Sequence, residues 1–303
     1  MKDLESKLRR WDDPLSTSEE NICQTAIKSI KRILDNCESL KCRDIEIFEQ
    51  GSHANNTNVR NNSDVDIAVV CKQTFYYSIP PYRSKMDYGI FDSNYSFDVF
   101  KSEVFNALAK EFGISEINYG RKSLKIDHFK YNNSFISVDV VPFFEYREYD
   151  QNGIRYTGVS LISSSGERII NYPKQHYQNS IYKNASTKHY YKRMVRCFKS
   201  LRYDLEDDGY DVKDVKSFVL ESILYNLDDS VFNMENTQNS LAGRYLEPYS
   251  AMFWNCIQYA KNLLLNSSGS LYEPNEILKV FNDKSRNPQT YLMFLELLEK
   301  YCF

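Results

Sequence analysis

Two aspartates stand one residue apart in SDVDIAVV, directly after the polar, Asn-rich stretch QGSHANNTNVRNN. Apolar strands seldom spend two positions on carboxylates. Side chains alternate faces along a strand, so Asp64 and Asp66 would point one way while Val65 points into a core. Two carboxylates at the start of one strand face make a hard-oxygen site suited to Mg²⁺ or Mn²⁺. A third carboxylate is needed if two ions are to be bridged. Asp139 is the candidate, because an isolated charge inside ISVDVVPFF is expensive to bury unless it meets a cation. A neighbouring antiparallel strand would bring it alongside the first pair. Three carboxylates can hold two ions that clamp the attacking and leaving oxygens of a phosphoryl displacement, one ion activating a sugar hydroxyl and the other holding a triphosphate. Gly51 and Ser52 supply what remains: a glycine lets the backbone approach phosphate, and a serine hydroxyl beside helix-terminal amides binds it. Ser52 precedes Asp64 by twelve positions, room for one or two helical turns. Alone, a DxD at a strand edge is often a cap or turn, and a Gly-Ser pair says less. It is the combination with Asp139 that points to catalysis.

The rest of the chain must position these groups. Its 303 residues are 42% hydrophobic and 26% charged, the balance of a soluble globular protein long enough for one large domain or two lobes. A net charge of −3 excludes a general polyanion binder, so any nucleotide site must be a local basic patch. The seven cysteines show no CxxC pair and no zinc spacing, and read as reduced core thiols of a cytosolic protein. The four histidines form no ligand set along the sequence. The N-terminus is charged at once, unlike a signal peptide, and no apolar run is long enough to span a membrane.

Ser16–Glu19 reads as a capping box, followed by Ile22, Ala26, Ile30, Ile33 and Leu34 at helical spacing as far as about Asn36. Strands are expected over Asp44–Phe48, Asp64–Val70, Ser123–Ile126 and Phe135–Val141, the last ended by Pro142. A helix is expected over Phe97–Phe112, stopped by Gly113. From about Thr187 the pattern turns helical: Tyr190–Leu201, Val215–Leu227, Tyr245–Leu265 and Thr290–Tyr301. This is an α+β chain, an N-terminal helix and mixed sheet lobe over 1–185, then a helical lobe over 186–303.

The pattern GS…DxD…D is the signature of nucleotidyltransferases that share the DNA polymerase beta fold. QGSHANNTNVRNNSDVDIAVV and SVDVVPFFEYR resemble, more closely, the bacterial cGAS/DncV-like nucleotidyltransferases, which make cyclic oligonucleotide signals in the CBASS anti-phage systems. INYPKQHYQNSIYKNASTKHYYKRMVRCFKSLRYDL and VKSFVLESILYNL are similar to that family's substrate-binding region and helical lobe. The resemblance implies two lobes around a central cleft, two Mg²⁺ or Mn²⁺ ions on Asp64, Asp66 and Asp139, and Ser52, with Gln50 and Gly51 beside it, on the donor triphosphate. It places Lys199 and Ser217 on phosphates and Phe218 against a base. Lys192 and Arg196, at i−7 and i−3 from Lys199, would share its face, although such a face is ordinarily solvated, and Phe218 also fits its own helix's core stripe. His53, where the family often has Tyr, would lie near the site without acting. Asn171 matches a base-facing position at which Asn suits pyrimidines, or it simply begins the turn at Tyr172-Pro173.

The implied partners are nucleoside triphosphates, with UTP and ATP as candidates, and a product acting on a separate CBASS effector, without membrane or obligatory nucleic acid, in the cytoplasm. The expected reaction is metal-dependent synthesis of a cyclic dinucleotide with release of pyrophosphate. Template-independent RNA tailing, tRNA modification and non-catalytic nucleotide sensing are the alternatives.

Overall fold

The computed structural model describes residues 2–11, 17–59, 64–131, 134–233, 240–241 and 244–303. In chain order its helices are α1 (Lys2–Trp11), α2 (Thr17–Asp35), α3 (Gly51–Ala54), α4 (Phe97–Phe112), α5 (Pro173–Ser186), α6 (Tyr190–Asp207), α7 (Ser217–Tyr225), α8 (Pro248–Ser267) and α9 (Pro288–Cys302). The strands are β1 (Ile45–Gln50), β2 (Val65–Ser78), β3 (Ile117–Tyr119), β4 (Leu124–Tyr131), β5 (Ser134–Asp150), β6 (Gly153–Ile162), β7 (Arg168–Asn171), β8 (Ser240–Leu241) and β9 (Arg244–Tyr245). The capping box expected at Ser16 begins outside the described residues. The chain forms two compact units.

The sheet unit comprises the described residues of Ser16–Ala54 and Asn62–Pro173. Its strands run in the order β1-β2-β5-β4-β3, with β6 on the far half of β5 and β7 on β6. Val65 and Ile67–Cys71 of β2 are buried, as are Val138, Val140 and Val141 of β5, which makes these two strands the centre of the sheet. α2 covers it with Cys23, Ala26, Ile30, Ile33 and Leu34. α4 covers it with Phe97, Phe100 and Val104; the rings of Phe97 and Phe100 lie 5.6 and 5.7 Å from that of Phe144. Ser96 caps α4 by accepting from Val99 N at 3.3 Å, and Gly113 ends it at φ +97°, a left-handed conformation open to glycine.

Three expectations are corrected here. Asp139 does reach the first aspartates, but β5 runs parallel to β2, not antiparallel, because α4, β3 and β4 provide the crossover a parallel pair needs. Pro142 does not end its strand. It lies after the last β4 pairing, at Val140, and before the first β6 pairing, at Phe144, so its missing N–H falls where that flank of β5 has no partner strand. Cys42 is exposed and Cys37 and Cys302 are partly so, unlike core thiols. Strands β6 and β7 lie beyond what the sequence pattern showed: GIRYTGVSLI alternates weakly, and RIIN is four residues long.

The helical unit comprises the described residues of Met1–Leu15, Asn55–Asn61 and Lys174–Phe303. Its core joins Leu4 and Leu8 of α1 to Tyr191, Val195, Phe198 and Leu201 of α6, Val219 and Ile223 of α7, Phe253 and Ile257 of α8, and Tyr291 and Leu295 of α9. Both α1 and α5 therefore belong here, on the far side of the boundary expected after residue 185. α8 has no cap from its own N-cap residue, Glu247. Glu5 of α1 substitutes: one carboxylate oxygen accepts from Ser250 N and Ser250 Oγ, both at 2.8 Å. A buried carboxylate thus meets the positive end of a helix it is not part of.

Candidate functional site

In the sheet unit, register positions the acidic groups. Asp66 pairs across β2 and β5 with Asp139, and across β2 and β1 with Gln50. Gln50 leads into Gly51, which starts α3 at φ +74°. A Cβ built on Gly51 would lie 2.3 Å from Asp66 Oδ2, so glycine is required both by conformation and by the carboxylate pressed against it. Ser52 follows, half-buried, in the first turn of α3. Asp64, just ahead of β2, accepts from Lys125 Nζ at 3.0 Å. Lys125 lies on β4 directly opposite Asp139.

The electrostatics are those of carboxylates crowded together. Burial, then the charges of Asp139, Asp64 and Glu49, push Asp66 up to about 7. Burial and Asp64 raise Asp139 as well, against the pull of Lys125. Asp139 Oδ1 is buried without a hydrogen-bond partner. A buried acceptor in this state is costly. Hard oxygen donors, mutual repulsion and an unsatisfied oxygen fit divalent cations held by Asp64, Asp66 and Asp139. Lys125 supplies a single compensating charge. Sequence reading missed it because its partners, Asp64 ahead of β2 and Asp139 on β5, come from other parts of the chain. Its place in LKIDHFKY, on a strand beside Asp139, was the available clue.

In the helical unit, the basic face of α6 is buried. Lys199 Nζ donates to Glu221 Oε2 at 2.7 Å and to Thr57 Oγ1 at 2.9 Å. His176 Nε2 meets the other Glu221 oxygen at 3.0 Å, and Thr57 Oγ1 donates to Oε2 at 3.1 Å. Burial opposes ionisation of Glu221, yet Lys199 and His176 outweigh it and hold the carboxyl well below its usual range. Arg196 Nη1 donates to Asn56 O at 2.6 Å. Lys192 is buried too, and burial lowers its pKa. Lys199 thus pairs directly with the buried carboxylate, and Lys192 lies within reach of its charge. Glu221, His176 and Thr57 escaped sequence reading because their contacts join segments 22 to 164 residues apart.

Ser217 is the first residue of α7, and Phe218 packs against the helical core with its ring 5.7 Å from that of His176. The Arg286 guanidinium lies 5.2 Å from the Phe218 ring. Asn171 closes β7, pairs with Val159 and is exposed. Its carbonyl packs against Gly158, where a Cβ would come within 2.6 Å. The structure therefore gathers Gln50, Gly51, Asp64, Asp66 and Asp139 in the sheet unit, and Lys192, Arg196, Lys199 and Phe218 in the helical unit. Asn171 stands apart at the end of the sheet's edge strand. Among the described residues, no helix is long and apolar enough to cross a membrane.

Comparison with known proteins agrees with this geometry. Residues 30–148 match the nucleotidyltransferase domain, and residues 178–302 match the cGAS/DncV-like nucleotidyltransferase C-terminal helical domain. The chain is 39% identical over 234 residues to the cyclic dipyrimidine nucleotide synthase CdnE of Cecembia lonarensis, covering 77% of this chain and 78% of that one. It is 33% identical to the cyclic GMP-AMP synthase CdnE03 of Staphylococcus schleiferi, covering 98% and 96% of the two. The structure of the Rhodothermus marinus CdnE c-UMP-AMP synthase with Apcpp and Upnpp superposes with a TM-score of 0.79 at 27% identity, covering 98% and 97%. With both halves of the pattern matched in order along one chain, and relatives this similar over most of their length, the protein belongs to the cGAS/DncV-like nucleotidyltransferases.

Proposed function

We propose that this nucleotidyltransferase joins two nucleoside triphosphates into a cyclic dinucleotide that contains pyrimidine, with UTP and ATP as its candidate substrates. The observation that carries the reading is the Asp66–Asp139 pair, seated against Gly51 with one buried oxygen unsatisfied. The relatives' products, dipyrimidine, GMP-AMP and UMP-AMP, support the cyclic class and leave the bases to local residues.

In this reading Asp64, Asp66 and Asp139 hold two Mg²⁺ or Mn²⁺ ions. Those ions, when bound, acidify the attacking ribose hydroxyl and neutralise the triphosphate. Gly51 lets the backbone approach the donor, and the Ser52 hydroxyl donates to its phosphates. Lys199 and Ser217 contribute phosphate contacts and Phe218 a base contact. A ribose hydroxyl of one nucleotide attacks the α-phosphorus of the other and displaces pyrophosphate. The linear product then repeats the step on itself, and a second pyrophosphate leaves. The product acts in the cytoplasm on a separate CBASS effector.

Asn171 is assigned to base choice. Its amide places a donor beside an acceptor, matching O4 and N3–H of uracil. Incubation with the four labelled triphosphates, followed by nuclease treatment and mass analysis, should yield a small nuclease-resistant ring containing uridine. An extended strand would instead indicate a tailing enzyme, and no product a sensor. Asn171→Ser should shift incorporation toward purines by roughly 1–3 kcal/mol of discrimination. An unchanged base ratio would return Asn171 to a turn role.

A further inference from the structure

A second ligand set flanks the Gly51-Ser52 turn, built from residues other than the three aspartates. Cys23 of α2, Glu49 of β1 and His53 of α3 bring one sulfur, one carboxylate oxygen and one imidazole nitrogen within 4.8 Å of one another. All three belong to the sheet unit. Cys23 is buried, while Glu49 and His53 are half-buried, so the cluster has one inner wall and one approach from outside.

The spacing fits a metal. Cys23 Sγ lies 3.5 Å from His53 Nδ1. A tetrahedral zinc ion, about 2.3 Å from sulfur and about 2.0 Å from nitrogen, separates those two ligands by about 3.5 Å. The set is also distinct in character from the triad. Asp64, Asp66 and Asp139 offer oxygen alone, which suits Mg²⁺. Thiolate and imidazole prefer a borderline-soft ion such as Zn²⁺ and discriminate against Mg²⁺. Three protein ligands leave a fourth position for water.

The position gives the site a consequence. Glu49 lies one residue before Gln50, and His53 one residue after Ser52. An ion bound here would tie α2 to both ends of the turn that carries Gly51 and Ser52. We propose that Cys23, Glu49 and His53 form a zinc-class divalent metal site that fixes this turn, separate from the hard-oxygen site on the aspartates.

Cobalt(II) is the probe, since thiolate ligation gives a sulfur-to-cobalt charge-transfer band and four-coordination gives intense visible bands. The full-length protein, stripped with chelator, is titrated with Co²⁺ in excess Mg²⁺, which occupies the oxygen site. The expected result is a thiolate band saturating at one equivalent, displaced by Zn²⁺. Cys23→Ser and His53→Gln should each abolish the band or weaken binding at least ~tenfold. Asp64→Asn with Asp66→Asn should keep it. Circular dichroism checks that each variant is folded. Zn²⁺ should raise the melting temperature of the wild type and not that of His53→Gln. The proposal is overturned if the wild type shows no thiolate band, in which case the trio is a plain hydrogen-bonded contact. It is equally overturned if the band survives in folded Cys23→Ser, or disappears only with the aspartate substitutions.

Discussion

Gly51 and Asp66 depend on each other at the scale of single residues. Gly51→Ala would add a methyl group where Asp66 Oδ2 lies and force alanine to φ +74°. A loss of about 1–3 kcal/mol in denaturant unfolding and of most activity is expected. Asp66 carries the opposite cost. Its folded pKa of about 7 lies above the ordinary 3.8, so the folded chain binds this proton more tightly than the unfolded chain. Stability is then highest at low pH, falls as pH rises between those values and has lost its full share above about 7. Asp66→Asn removes that dependence. Without divalent cations the variant should melt higher than the wild type above pH 7, by at most about 4 kcal/mol, and the gain should vanish towards pH 4. Mg²⁺ should raise the melting temperature of the wild type alone, and turnover by the variant should be lost. Equal melting curves at every pH would remove the crowding argument.

Lys199 shows where residue-level reading ran out. A cation on a solvated helix face is easily replaced, and a phosphate contact made from there would show its loss chiefly in KM. The structure adds a partner, Glu221, and both side chains are about 5% exposed. Lys199→Ala should therefore cost about 3–5 kcal/mol of stability, because a buried carboxylate loses its counter-charge. Adding Glu221→Gln should recover much of that loss, while a KM effect from a phosphate contact would persist in the double variant. Urea midpoints and triphosphate kinetics on the four proteins separate the two. The aspartates and the Gly-Ser pair were legible in the sequence because carboxylates are rare in apolar strands and a glycine marks a turn where the backbone must take a left-handed conformation. Lys125, Glu221 and Cys23 were not, since each acquires meaning only from neighbours on other elements.

Elements were legible where a local rule decides them. α4 starts at its serine cap and stops at its glycine, both visible in the sequence. The parallel pairing of β2 with β5 and the passage of β5 through Pro142 depend on which strands flank β5 at each residue, and no local pattern carries that. The cap on α8 is of the same kind, since the carboxylate that accepts from its first turn, Glu5, lies on another helix. Glu5→Ala should cost about 1–3 kcal/mol, more than an exposed charge would, because it strips three hydrogen bonds from the start of α8, those donated by Tyr249 N, Ser250 N and Ser250 Oγ. Thermal melts and protection of the Tyr249 and Ser250 amides from hydrogen exchange would report it. A change below a few tenths of a kcal/mol would mean that α8 caps itself with water.

For the whole molecule, the order of synthesis matters. Glu5 and Ser250, bonded in the folded chain, are 245 residues apart. At ~5–20 residues per second, α1 leaves the ribosome roughly 12–50 s before α8 is made. Leu4 and Leu8 have no partners until α6 is made, and only part of their core until α8 and α9 follow. The helical unit, begun first, is finished last, while every strand of the seven-stranded sheet is translated in between. The first helix is thus a waiting apolar surface, suited to a chaperone's grip until the last quarter of the chain emerges.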